Sequence, residues 1–171
     1  SHHYGSWNNL PPDRPELWGI QVISITKKQT LELLDLLDKR RNIHINSLSG
    51  NTITAIAPGD DPSILWVGAG WEGLNKFDTK KEKFTYYKYD PKAKNSIASY
   101  RVNTICRDTS NLYWIGTNDG LSLMDSKTET FTNFRNDPFN LQSISSNNIS
   151  SIIKDHSGII WLGTYWGGID K

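Results

Sequence analysis

A unit of about 48 residues recurs along this chain, and the recurrence limits the folds open to it more than any other feature. Trp66-Val67-Gly68, Trp114-Ile115-Gly116 and Trp161-Leu162-Gly163 align, with the tryptophans 48 and then 47 residues apart. Other landmarks keep step. Ile53, Val102 and Ile149 open the units, and Gly73, Gly120 and Gly168 follow each Trp-x-Gly. Phe84 and Phe131 close the first two copies, and Asn95-Ser96-Ile97 is echoed by Gln142-Ser143-Ile144. Self-similarity at roughly 40–50 residues marks a β-propeller or a solenoid, in which one supersecondary unit is stacked repeatedly.

The contents of a unit decide between these. Ile53-Thr54-Ala55-Ile56-Ala57 alternates apolar with small or polar residues, and residues 58–63 then break the chain. Ile64-Leu65-Trp66-Val67-Gly68, Leu74-Asn75-Lys76-Phe77-Asp78 and the aromatic run over 83–89 follow, separated by Gly- and Asp-rich turns. Short β-rich runs between such clusters read as strands joined by tight turns. Four antiparallel strands at this period describe a propeller blade. Helical solenoids need long segments of 3.6-residue period, and none occurs between Asn51 and Lys171. The expected fold is an all-β propeller, with blades over 51–99 and 100–146 and a partial blade over 147–171.

Upstream the pattern fades. Trp18 stands 48 residues before Trp66, so residues 18–50 read as a degenerate partial blade. The Leu-rich run over 31–38 has good helix formers, but its place in the repeat argues for a strand. Residues 1–17 form an N-terminal extension with a Pro-rich lead-in, and Ser1-His2-His3 has the look of a tag remnant.

Composition excludes several function classes. Lys plus Arg is 19 and Asp plus Glu is 18, so no net field points to nucleic acid or an anionic membrane. No 18-residue apolar stretch occurs, so no membrane contact is expected within the chain. One cysteine, Cys106, allows no internal disulfide. The histidines His2, His3, His44 and His156 have no partner at metal-ligand spacing, and no phosphate loop or nucleophile elbow is present. His156 reads as a surface turn residue, and Asp155-x-x-Gly-x-x-Trp as a structural turn one residue longer than a sialidase Asp-box. No catalytic residue, cofactor or metal is expected.

The tryptophans divide into two sets. Trp66, Trp114 and Trp161 share one strand position, which blade-to-blade packing explains. Trp71, Tyr165 and Trp166 lie instead in the loop between the second and third strands. In a propeller that loop shares a face with the connections between blades, where ligand sites usually lie. Exposed aromatics there suit stacking on sugar rings or other flat apolar surfaces; rings capping the core are the competing account. Glu72, Asn118 and Asp119 fill the same loops and offer hydrogen bonds to hydroxyls, although Asn-Asp-Gly is also a tight-turn sequence. The candidate ligand-binding residues are therefore Trp71, Glu72, Asn118, Asp119, Tyr165 and Trp166.

Residues 152–169, from Ile152-Ile153-Lys154-Asp155 through Trp161-Leu162-Gly163-Thr164 to Gly167-Gly168-Ile169, closely resemble the two-component regulator propeller repeat. Residues 104–121 and the link over 141–149 are similar to the same family. In the first copy Ala69 replaces the threonine, and Trp71-Glu72 stand where a small or polar pair is usual. The resemblance implies a sensing module of histidine kinases and related receptors: extracytoplasmic, non-catalytic and often recognising oligosaccharides. Kinase and receiver motifs are missing from these residues. Streptogramin lyases and glycan-cleaving enzymes use similar blades, so an enzyme and a purely structural scaffold are the alternatives. Propellers typically need four to eight blades, which leaves two accounts of a chain with about three. It is a piece of a longer sensor, completed by neighbouring blades, or two copies form a homodimer that closes a six-bladed ring.

Overall fold

The computed structural model describes residues 47–171. The faint copy around Trp18, the run over 31–38 and the first three histidines lie outside the described residues.

Three antiparallel sheets follow one another along the chain. The first orders β1 (Ala55–Pro58), β2 (Ile64–Gly68), β3 (Leu74–Asp78) and β4 (Lys83–Tyr87) in sequence. The second repeats this with β5 (Val102–Arg107), β6 (Leu112–Thr117), β7 (Gly120–Asp125) and β8 (Thr130–Phe134). The third has β9 (Ile149–Lys154), β10 (Ile160–Thr164) and β11 (Gly168–Asp170). The first strands lie in series, β1 against β5 and β5 against β9. This is the stacking of β-propeller blades, and among the described residues the sheets do not close into a ring.

Two details differ from the sequence expectation. The β1 ladder begins at Ala55, because Thr54, though its N–H still bonds Gly68 O, turns its hydroxyl to Val102 O in the next sheet. The strand also runs through Pro58, which an edge position tolerates because no ladder N–H is required there. Residues 70–72, expected as open loop, wind into a single 3-10 turn.

Turn chemistry fixes the registers. Asp78 and Asp125 each end a third strand, and their Oδ1 atoms accept the backbone N–H groups two and three residues on. The recurrent serine of the links has a definite task. Ser96 Oγ accepts from Asp90 N and donates to Asp90 O, and Ser143 does the same with Asp137. Each link is thereby pinched closed, which sets Ile97 into the core and Ile144 against the next one.

Strand alternation then fills the gaps between sheets. Trp66 faces the second sheet, and Leu65 and Val67 face away from it. Trp66, Ala57 and Leu74 pack on Val102, Ile105, Tyr113, Ile115, Met124 and Phe131. Trp66 touches Tyr113 across the gap, with ring centroids 5.7 Å apart. Cys106, Leu121 and Trp114 pack likewise on Ile149, Ile152 and Leu162. The Trp-x-Gly glycine belongs to this contact. A Cβ on Gly68 would lie 2.7 Å from Val102 Cγ1, and one on Gly116 would lie 2.7 Å from Ile149 Cγ2. The shared tryptophan position thus serves blade packing at Trp66 and Trp114. Trp161 departs from that expectation: among the described residues no sheet lies against it.

Candidate functional site

The three loops between second and third strands have different lengths and the same attachment. They span 69–73, 118–119 and 165–167, between ladder residues that keep register on either side. Each is tied by backbone hydrogen bonds to the segment entering a first strand. Gly73 N donates to Tyr100 O at 2.7 Å, and Asn118 N to Arg101 O at 3.2 Å. Gly120 N donates to Asn147 O at 2.7 Å, and Tyr165 N to Asn148 O at 2.9 Å. The loops and the inter-blade connections therefore form one belt on one face, held by the strands beneath.

Residues 99–101 draw the first two loops together. Trp71 is 57% exposed, with the Arg101 guanidinium 4.7 Å above its ring and the Tyr100 ring 5.7 Å away. Tyr89 extends the aromatic row at 6.3 Å from Tyr100. A cation held on an indole face and two neighbouring rings make a semi-rigid, amphipathic platform. Ser99 Oγ donates to Asn118 Oδ1 at 2.7 Å, which fixes that side chain half-buried. Asp119 is exposed and 3.5 Å from Arg135. Glu72 is exposed and 3.8 Å from Lys88, a solvated pair worth little energetically.

Tyr165 and Trp166 stand apart. Tyr165 is 55% exposed and Trp166 is 102% exposed, so neither caps the core. Trp166 has φ +67°, a left-handed conformation that is costly for a bulky residue. Of the six residues expected at the site, Trp71 and Asn118 contact residues 99–101; Glu72 and Asp119 lie beside them in the same two loops but pair with Lys88 and Arg135, and Tyr165 and Trp166 occupy the third loop. Sequence reasoning missed Tyr100, Arg101 and Arg135. Their only signal was position, immediately before Val102 or after Phe134, at the mouths of the connections.

Two other regions belong to packing and turns. A cavity of about 550 Å³ lies between the second and third sheets, lined by Trp114, Phe134, Ile144, Ile160 and Leu162 among others. The corresponding wedge between the first two sheets is filled by Met124 and Phe131. His156 is exposed in the turn between β9 and β10, at the opposite end of β10 from the 165–167 loop. The neighbouring Asp155 is a turn organiser. Its Oδ2 accepts the Trp161 indole N–H at 2.8 Å, and its Oδ1 accepts Ser157 N and Ile159 N. The indole bond, and then the backbone donors, hold its carboxyl below the usual carboxylate range.

With this geometry in place, comparison with known proteins is decisive at the level of the repeat. The two-component regulator propeller model matches residues 96–119 and 143–166. These two segments are two-component regulator propeller repeats. The extracellular domain assigned to the hybrid two-component system BT3049 of B. thetaiotaomicron is similar at 29% identity and TM-score 0.62, over 71% of this chain and 17% of that one. The extracellular domain of the one-component system BT4673 of B. thetaiotaomicron shares the fold at 23% identity and TM-score 0.55, over 74% of this chain and 16% of that one. PorZ, a surface component of the type-IX secretion system of Porphyromonas gingivalis, shares it at 22% identity and TM-score 0.53, over 72% and 17%. This chain therefore spans about a sixth of the length of these structures. None of the curated proteins compared with it matches. These two-component regulator propeller repeats thus build a propeller domain related to extracellular domains of two-component sensor systems.

Proposed function

We propose that these repeats form part of the ligand-binding face of an extracytoplasmic sensor, that the ligand is an oligosaccharide or a small molecule with a flat apolar face, and that the module is non-catalytic. The observation carrying this reading is the platform of Trp71, Arg101 and Tyr100, which remains solvent-exposed while its backbone is anchored to the propeller belt. Rings presented on rigid supports lose little conformational entropy when a sugar stacks on them. Asn118, tied to the same segment, and the exposed Asp119 beside it supply hydroxyl-directed hydrogen bonds nearby. Trp166 adds a second exposed ring whose left-handed backbone holds it outward. The related extracellular domain at 29% identity supports an extracytoplasmic setting.

The test is a tryptophan-fluorescence and calorimetric titration of the chain against a panel of neutral and acidic oligosaccharides. Binding by the wild type is expected, with Trp71→Ala weakening it about tenfold. The melting temperature should stay nearly unchanged, because the ring is exposed. If no member of the panel binds, the repeats are a scaffold; if Trp71→Ala lowers the melting temperature sharply without weakening binding beyond that loss of fold, the ring is core and the reading is wrong.

A further inference from the structure

We infer that the sugar stacking on the Trp71 platform is an acidic one, carrying a carboxylate or a sulfate, and that the Arg101 guanidinium and the Asn118 amide receive this anionic group. The inference rests on the platform being a ligand site and narrows the ligand by charge.

The charges on these loops are matched, with one exception. Glu72 lies 3.8 Å from Lys88, and Asp119 lies 3.5 Å from Arg135. Among the described arginines, Arg107 and Arg135 each face a carboxylate. The Arg101 guanidinium has neither a carboxylate nor a hydrogen-bond acceptor among the described residues. Its contact is the Trp71 ring, 4.7 Å away. A guanidinium resting on a ring engages through its face, while its N–H donors lie in its plane and stay open to a bidentate partner.

Arg101 also differs from a freely solvated surface arginine, because it is held at both ends. Its carbonyl accepts from Asn118 N at 3.2 Å, and its head group lies on the indole. Part of the ordering cost of gripping an anion is thereby met before the ligand arrives.

The same backbone bond sets Asn118 beside Arg101. Ser99, 4% exposed, donates its hydroxyl to Asn118 Oδ1 at 2.7 Å. This bond engages the amide oxygen and leaves the Asn118 Nδ2 donors without a partner among the described residues. Two donor groups thus stand together next to an exposed ring, and the neighbouring acid, Asp119, already faces Arg135. A hydroxyl both donates and accepts, whereas a carboxylate or sulfate oxygen only accepts, and a cluster of donors suits the latter.

The fold does not ask for a base here. Arg101 stands just before Val102, and the matching places before Ile53 and Ile149 hold Thr52 and Asn148. The donors and the ring lie between the first and second sheets, both of which have all four strands.

The test uses the full chain and pairs each uronate or sulfated oligosaccharide with its carboxyl-reduced or desulfated counterpart. Binding is read by calorimetry and tryptophan fluorescence, with circular dichroism melting to check each variant. Acidic members should bind at least about tenfold more tightly than their neutral counterparts. That preference should shrink as salt is raised. Arg101→Gln should abolish it, bringing the acidic member to the affinity of the neutral one. Asn118→Asp keeps an acceptor for Ser99 but replaces the donors by a charge, so it should weaken acidic members and spare neutral ones. The two kinds of counterpart separate a carboxylate from a sulfate as the recognised group. Neutral sugars binding as tightly as acidic ones, or a preference that survives Arg101→Gln, would overturn the inference and leave the platform standing as a neutral-sugar site. The wild-type comparison decides this even if a variant fails to fold. If neither kind of sugar binds, the platform is not a ligand site and the inference falls with it.

Discussion

Gly68, Gly116 and Gly163 share one motif position but do not meet the same surroundings. At Gly68 and Gly116 an added methyl would collide with a β-branched side chain of the next sheet, and at Gly116 also with Thr104 Cγ2 of its own sheet; at Gly163 it would meet the rotatable Ser151 hydroxyl of its own sheet. Gly116→Ala should therefore cost about 1–3 kcal/mol by overpacking, and Gly163→Ala distinctly less, in urea unfolding followed by circular dichroism. The sequence displayed the recurrence of Trp-x-Gly plainly. What it could not display is that the glycine serves the neighbouring sheet, because that contact joins residues tens of positions apart. The same limit hid Tyr100 and Arg101. Nothing in their local pattern marks them; they matter because a backbone hydrogen bond from Gly73 brings them to Trp71.

Among elements, the turn after a first strand acts as the clasp between sheets. Tyr113 is fully buried and donates to Asp60, so Asp60→Ala leaves a phenol without its acceptor and should destabilise by about 1–3 kcal/mol. Burial, and then the Asp60 charge, push the Tyr113 phenol up to about 12. A raised folded value means the stabilisation is complete below the unfolded tyrosine value of about 10 and is lost as pH rises from there through the folded one. Unfolding midpoints should fall between those two values, and Tyr113→Phe should flatten that stretch of the profile. Strand identity was legible here because period-2 alternation and Gly/Asp turns are local signals. The ends of β1 were not, since Thr54 answers to a carbonyl in another sheet.

For the molecule as a whole, the order of protection should follow the stacking. β6 and β7 lie in the middle sheet, between the two cores, whereas among the described residues nothing covers the outer face of the third sheet or pairs with the outer edge of β11. Amide exchange in β10 and β11 should outpace that in β6 and β7 at least tenfold by mass spectrometry. Equal rates would mean the third sheet is covered in solution. The period of the repeat made the propeller legible from sequence. The platform of the candidate site was only half legible, because loop aromatics can be seen in a sequence and their neighbours across a connection cannot.

The loops over 69–73, 118–119 and 165–167 differ in length while the ladders on either side stay aligned. Insertions there leave strand pairing untouched, so the face can diversify without renegotiating the fold. A chain built this way separates inheritance of its frame from innovation at its rim, and grafting one loop onto another blade should transplant its exposed side chains without disturbing the ladders.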